Sequence, residues 1–295
     1  MSFANVAAFS AAANDKNWIS SYRKALSASA TVAGQWYDYS YAGGNPIPNY
    51  YASSPLEAAV LEYEKGIICP RVTDKLFLHR WTVMTAAAST ASVTNANQAL
   101  VMMDYVLFYP FVDMDAAGED QAMTQTVSLP RYESGVGLEM MVVAQSPTVG
   151  GGLFTITFTD SNDVQFVTES LFCAAAQPAG ALVQAVGAAA GVQAFVPKPA
   201  GANGVKRVDS VNFSVANGGL CAVVLVKPLQ SMYLREECRQ TSADSFGDAA
   251  EQEAMRTRAG IVEIKDGAFI GIIGQAANGS LASSVLVGTL ETVWN

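Results

Sequence analysis

The chain of 295 residues holds one histidine, four cysteines and few charges, with Lys and Arg together at 17, Asp and Glu at 26, and charged residues at 15%. A lone histidine, His79, excludes His-rich metal centres and any HExxH motif. A histidine-based relay would have to run through that one residue. No GxSxG, GxxxxGK or strand-linked GxGxxG is present, which removes the usual supports of acyl, phosphoryl and hydride transfer. The acidic excess, a net charge of -9, comes without any cluster of Lys or Arg. That argues against phosphate-dominated nucleic-acid binding and against anionic membrane surfaces. No uncharged apolar run of about 18 residues exists to span a bilayer, and MSFANVAAFSAAANDK lacks the basic segment of a secretory signal. Cys69, Cys173, Cys221 and Cys238 are widely spaced without a CxxC pair, which fits reduced, buried thiols better than a disulfide framework. No cofactor and no resident metal are expected.

What the chain does have is β-pattern. From Leu100 to Cys173 it reads as consecutive strands, LVMMDYVLFYPF, TQTVSLPRY, VGLEMMVVAQ, GLFTITFTDSND and VQFVTESLFC. Breaks fall at Gly118, Gly135, Gly150 to Gly152 and Asn162. In Phe154 to Thr159 the residues Phe154, Ile156 and Phe158 alternate with threonines, so one face is buried and one faces water. Further strands are read at Lys75 to Met84, with Phe77, His79, Trp81 and Val83 on one face, at Arg207 to Val215, and at Leu220 to Leu229 after the turn Asn217-Gly218-Gly219. A hairpin turning at Asp266-Gly267 and a last strand, SVLVGTLETVW, close the chain. The fold class expected is all-β, a two-sheet antiparallel sandwich, with a jelly roll as one form of it, a short N-terminal helical arm and long inserted loops.

Three regions follow: an arm over 1–74, a sandwich over 75–240 and a completing segment over 241–295. The arm holds a helix near residues 15 to 30, on the spacing of Trp18, Tyr22 and Leu26 behind Asn14 or Asp15, and a short helical segment LEAAVLEYEKG ending at Gly66. Ala174 to Gly204, poor in large side chains, reads as a long surface excursion ordered against a neighbour. Ser245 and Asp248 cap a short helix reaching about Thr257.

Two constellations carry functional weight. WYDYSYAGGNPIPNYY places Trp36, Tyr37, Tyr39, Tyr41, Tyr50 and Tyr51 within one short extended stretch. Tyrosine offers large amphipathic contact area at low entropy cost, so the readings are a subunit contact, a carbohydrate platform, or an arm folded back over its own sandwich. Asp113, Asp115, Glu119 and Asp120 form an acidic loop, read as a solvated turn, as cation ligands without EF-hand spacing, or as paired catalytic carboxylates. His79, between large apolar neighbours, reads as a satisfied structural histidine ahead of a catalytic one.

The segments LVMMDYVLFYPFVDMD, TVSLPRY and GVGLEMMVVAQSPTVGGG resemble virion structural proteins of tailed bacteriophages. That resemblance covers Leu100 to Cys173 and brings no catalytic residues. It implies a β-sandwich made in the host cytoplasm that ends up in the virion as a capsid decoration or cement protein. Its partners would be the major capsid protein or other virion proteins, in a homo-oligomer with a trimer favoured. Alternatives are a neck, tail or baseplate component and a carbohydrate-binding receptor-recognition module.

Overall fold

A computed structural model describes residues 3–26, 34–87, 97–185, 192–233, 250–254, 262–276 and 284–295. Among them lie one α-helix, α1 (Val6–Asp15), and eighteen strands. The first half of the chain supplies β1 (Asn17–Ala25), β2 (Trp36–Asp38), β3 (Gly43–Asn45), β4 (Ala59–Val60), β5 (Leu76–Ala87), β6 (Asn97–Asp113), β7 (Asp120–Ala122) and β8 (Glu139–Ala144). Then follow β9 (Gly152–Thr159), β10 (Gln165–Val167), β11 (Leu171–Cys173), β12 (Gln184–Ala185), β13 (Arg207–Phe213), β14 (Leu220–Tyr233), β15 (Ala250–Ala254), β16 (Glu263–Ile264), β17 (Phe269–Ala276) and β18 (Ser284–Trp294). The chain is an all-β, antiparallel, sandwich-like protein with a short N-terminal helix. No described helix is long and apolar enough to cross a membrane.

The strands make three sheets of six. A central sheet runs β2-β17-β6-β14-β8, with β4 on β6; a second runs β15-β5-β18-β1-β3, with β16 on β5; a third runs β12-β11-β9-β13-β7, with β10 on β9. The second and third sheets pack against the same face of the central one, at opposite ends of its long strands. Leu100, Met102, Ile270 and Ile272 meet Trp81, Leu286 and Leu290 of the second sheet. Val106, Leu107, Tyr109 and Val223 meet Phe154, Ile156 and Phe213 of the third. A bulge makes this possible: Tyr105 pairs with Val226 and Leu107 with Leu225, leaving Val106 extra, so odd-numbered residues take over the inward face from even ones.

The opposite face of the central sheet curls round a core of its own, including Trp36, Met103, Tyr105, Met141, Val224 and Phe269. Its two edges are joined by one extended segment. Asp38 N donates to Gly180 O and Leu182 N to Trp36 O on the β2 side, while Gly180 N donates to Ala144 O and Val183 N to Val142 O on the β8 side. Closure leaves neither edge open to a stray strand.

Several expectations need correcting. Residues 17 to 25 are strand, not helix; Tyr22, Lys24 and Leu26 are buried at every second position. The helix lies earlier, capped by the Asn5 side chain accepting from Ala8 N, and Phe3 and Phe9 seat it on Phe77 and His79. LEAAVLEYEKG gives only β4 and one 3-10 turn, Tyr63–Lys65, because Ala59 and Val60 pair with β6. TQTVSLPRY is a loop that delivers Leu129 and Arg131 to the interior. The Asp266-Gly267 turn is present, but β16 pairs with β5 and β17 with β6, so it is a corner between sheets and not a hairpin. In β5 a bulge at His79 sends Phe77 and His79 to the helix side and Trp81 and Val83 to the core. The Ala/Gly-rich stretch is no surface excursion over its described residues: Ala181, Leu182, Val183 and Val196 are buried. Of the helix expected after Ser245, residues 250–254 are strand; the rest, like Cys238, lies outside the described residues.

Candidate functional site

The tyrosine-rich stretch divides into a buried and an exposed part. Trp36, Tyr37, Tyr39 and Tyr51 are buried by the chain itself, so they offer no outward face: the segment is folded back on its own sheets. The cause is Asp38. This wholly buried carboxylate accepts from the Tyr51 hydroxyl, from the Tyr105 hydroxyl at 2.8 Å, and from Ser40 N and Oγ at 2.8 and 2.7 Å. Burial pushes its pKa up, against the pull of those donors. Nearby, Lys24 threads inward from β1 and donates to Pro46 O at 2.7 Å and Ala42 O at 3.0 Å. Loss of hydration lowers its pKa to about 8, with Asp38 acting in the opposite sense. Both groups serve to hold residues 36 to 51 in place; neither faces a cleft.

The exposed part is Tyr50, 54% accessible, with Tyr41 half-buried beside it at 4.9 Å between ring centroids. Gln145 fixes this pair. Its Nε2 donates to Tyr50 O and Tyr51 O, both at 3.1 Å, and its carbonyl accepts from Tyr41 Oη at 2.8 Å. Along the same loop, Val149 is 78% exposed, its N–H held by Asn217 O at 2.9 Å. Leu153 and Val215 are exposed as well, and Ser214 Oγ donates to Leu153 O at 2.9 Å. Sequence reading found the two tyrosines and missed the exposed aliphatic residues, which in strand and turn positions resemble core.

The acidic carboxylates do not converge. Asp113 accepts from Asp115 N, Asp115 from Gly218 N, and Asp120 from Asn212 Nδ2; Glu119 is exposed. Among the described residues no group of three or more His, Cys, Asp or Glu is placed to hold a metal ion. His79 Nδ1 lies 3.4 Å from Glu291, which also pairs with Arg80, and the Phe9 ring covers it. Cys69, Cys173 and Cys221 are free and buried. Burial pushes the Cys69 and Cys173 thiols to about 12 and Cys221 well above its ordinary value.

No family model and no curated protein matches the chain. Solved structures of a viral capsid protein align with it weakly. One is the infectious bursal disease virus VP2 subviral particle, at 9% identity and a TM-score of 0.19 over 94% of this chain and 80% of that one. Another is a mutant of the same VP2 protein in derived T=1 particles, at 8% identity and a TM-score of 0.17 over 95% and 78%. At these TM-scores the likeness carries no argument about fold or role.

Proposed function

We propose that the chain is a structural component of a virion that works through surface contact, and within that class a capsid decoration or cement protein bridging neighbouring capsomers. The observation that carries the reading is the exposure of Tyr50, Val149, Leu153 and Val215 on ordered backbone. These apolar side chains are exposed, yet the backbone beneath them is pinned by Gln145, Ser214 and Asn217. Exposed apolar side chains on pre-ordered backbone lose little conformational freedom when a partner covers them, so more of the burial energy goes into association. The low proportion of charge, 15%, suits permanently covered contacts.

Light scattering on the purified chain and co-sedimentation with expanded phage heads test this. The chain is expected to form a small closed oligomer and to add to heads. Tyr50→Asp and Val149→Asp, both at exposed positions, are expected to abolish the binding while leaving the thermal midpoint unchanged. A monodisperse monomer indifferent to heads refutes the reading; density at the neck, tail or baseplate in particle images moves the chain to that part of the virion.

A further inference from the structure

We propose that Asn217-Gly218 is a self-modification site, where the Gly218 nitrogen closes onto the Asn217 side chain with Asp115 as the base. The chain holds three Asn-Gly pairs, at 203–204, 217–218 and 278–279, the last outside the described residues. In any asparagine, closing the side-chain amide carbon onto the next residue's nitrogen makes a five-membered ring. What sets 217–218 apart is its surroundings.

Gly218 has a φ of 69, and a Cβ there would lie 2.9 Å from Val149 Cβ, so glycine is required and no side chain of its own shields its nitrogen. The Gly218 N–H donates to Asp115 Oδ1 at 2.7 Å, within the range for direct proton transfer. Asn217 is 1% exposed, and neither its Oδ1 nor its Nδ2 has a hydrogen-bond partner among the described residues. A buried amide without partners sits in an unfavourable ground state, and no hydrogen bond must break for it to turn toward Gly218. The backbone is held meanwhile: Asn217 N donates to Met114 O at 2.9 Å, and its carbonyl accepts from Val149 N and Gly150 N. By contrast, Asn203 is exposed, its own N–H goes to Asp160 Oδ2 at 3.2 Å, and Gly204 N has no carboxylate partner among the described residues.

The step balances without an oxidant or co-reactant. Asp115 takes the Gly218 N–H proton, the nitrogen forms a bond to Asn217 Cγ, and the Cγ–Nδ2 bond breaks. The departing amide nitrogen receives the proton and leaves as ammonia. The five-membered imide that remains reacts with water to give aspartate or isoaspartate; burial at 217 slows that second step, so the imide accumulates. The change frees Asp115 from the turn and alters the support of Val149. It is independent of the assembly reading.

Peptide-level mass spectrometry following residue 217 in wild-type protein at neutral pH, folded and in urea, tests the proposal. Ammonia loss at 217 is expected to be faster in the folded chain by a factor on the order of 100, the contribution of a positioned base. Asp115→Asn is expected to remove that advantage while conversion at Asn203 is unchanged. If Asn217 survives longer in the folded chain than in the unfolded one, as rigidity alone would dictate, the proposal is overturned. A folded-state rate indifferent to Asp115→Asn overturns it equally; should that variant fail to fold, the wild-type comparison decides by itself.

Discussion

Replacing Arg131 by methionine tests how the two outer cores are kept apart. Asp104 lies on the face of β6 between Met102, which belongs to one core, and Val106, which belongs to the other. Its side chain is wholly buried and that of Arg131 is 7% exposed. Arg131 Nε and Nη2 each meet a different carboxylate oxygen at 2.8 Å, while Nη2 and Nη1 also serve Tyr105 O and Gly267 O. Arg131→Met keeps the bulk and removes the charge. A buried carboxylate left unpaired costs about 3–5 kcal/mol, and each carbonyl deprived of its donor adds about 1 kcal/mol. Against a stability of about 5–15 kcal/mol, that is a large share, read as a drop of about 1–2 M in the urea midpoint. The double variant Asp104→Asn, Arg131→Met leaves no stranded charge and is expected to recover most of the loss. The pH dependence gives an independent check. Burial already pushes the Asp104 pKa up, with Arg131 opposing; without Arg131 the folded carboxyl rises further above its unfolded value. The folded variant then keeps a proton that the unfolded chain, and at higher pH the unaltered folded chain, has released, so the variant's penalty grows as pH rises through the unaltered Asp104's folded value and fades below it. A cost under about 1 kcal/mol, or one that does not change with pH, would refute the reasoning.

The same linkage applies to Asp38 in the unaltered chain. Its folded pKa is raised by burial, so its contribution declines as pH climbs from the ordinary aspartate range through the folded value; the urea midpoint should fall over that window, and Asp38→Asn should flatten the slope. Tyr105→Phe, which removes a donor to that carboxylate, should cost about 1.5–3 kcal/mol by urea unfolding. Gly180→Ala strikes the closing segment: with φ at 86 and a Cβ placed 2.5 Å from the Tyr37 ring, the left-handed backbone alone costs about 1–3 kcal/mol, and hydrogen exchange should quicken at Leu182 and Val183. Cys69, Cys173 and Cys221, buried with raised pKa values, should resist thiol reagents until denaturant is added, as mapped by peptide mass.

Where a strand has one wet face, the sequence is readable. Phe154, Ile156 and Phe158 are buried and Thr155 and Thr157 are not, as their alternation predicts; Thr159 breaks it, buried with its hydroxyl on Asp209. The Asn217-Gly218-Gly219 turn likewise separates β13 from β14 as expected. Reading fails where a charge goes inside. Trp18, Tyr22 and Leu26 fit a period of four or of two equally well; the choice depends on Lys24, which looks exposed in sequence and is buried by three carbonyl acceptors. Bulges are the second cause of failure. His79 and Val106 each add one residue to a strand and reverse the faces beyond, and no local signal marks them. For the candidate site, tyrosine spacing located the stretch, but which rings turn outward depends on Asp38, a residue whose partners Tyr51 and Tyr105 lie 13 and 67 positions away.

The closing segment explains how the exposed Tyr50 is held in a chain so rich in alanine and glycine. Glycine serves at 180 because a Cβ there would strike Tyr37, while Leu182 and Val183 send their side chains into the cores on either side. The hydrogen bonds of this segment also position Ala144, the last residue of β8, and Gln145 follows it directly. Gln145 in turn holds Tyr50 and Tyr51 by their carbonyls. Thus the low-complexity stretch, the tyrosine pair and the central sheet form one chain of contacts, in which order at the surface depends on closure of the sheet beneath. Loosening at Gly180 would reach Tyr50 through Ala144 and Gln145, without any exposed residue being changed.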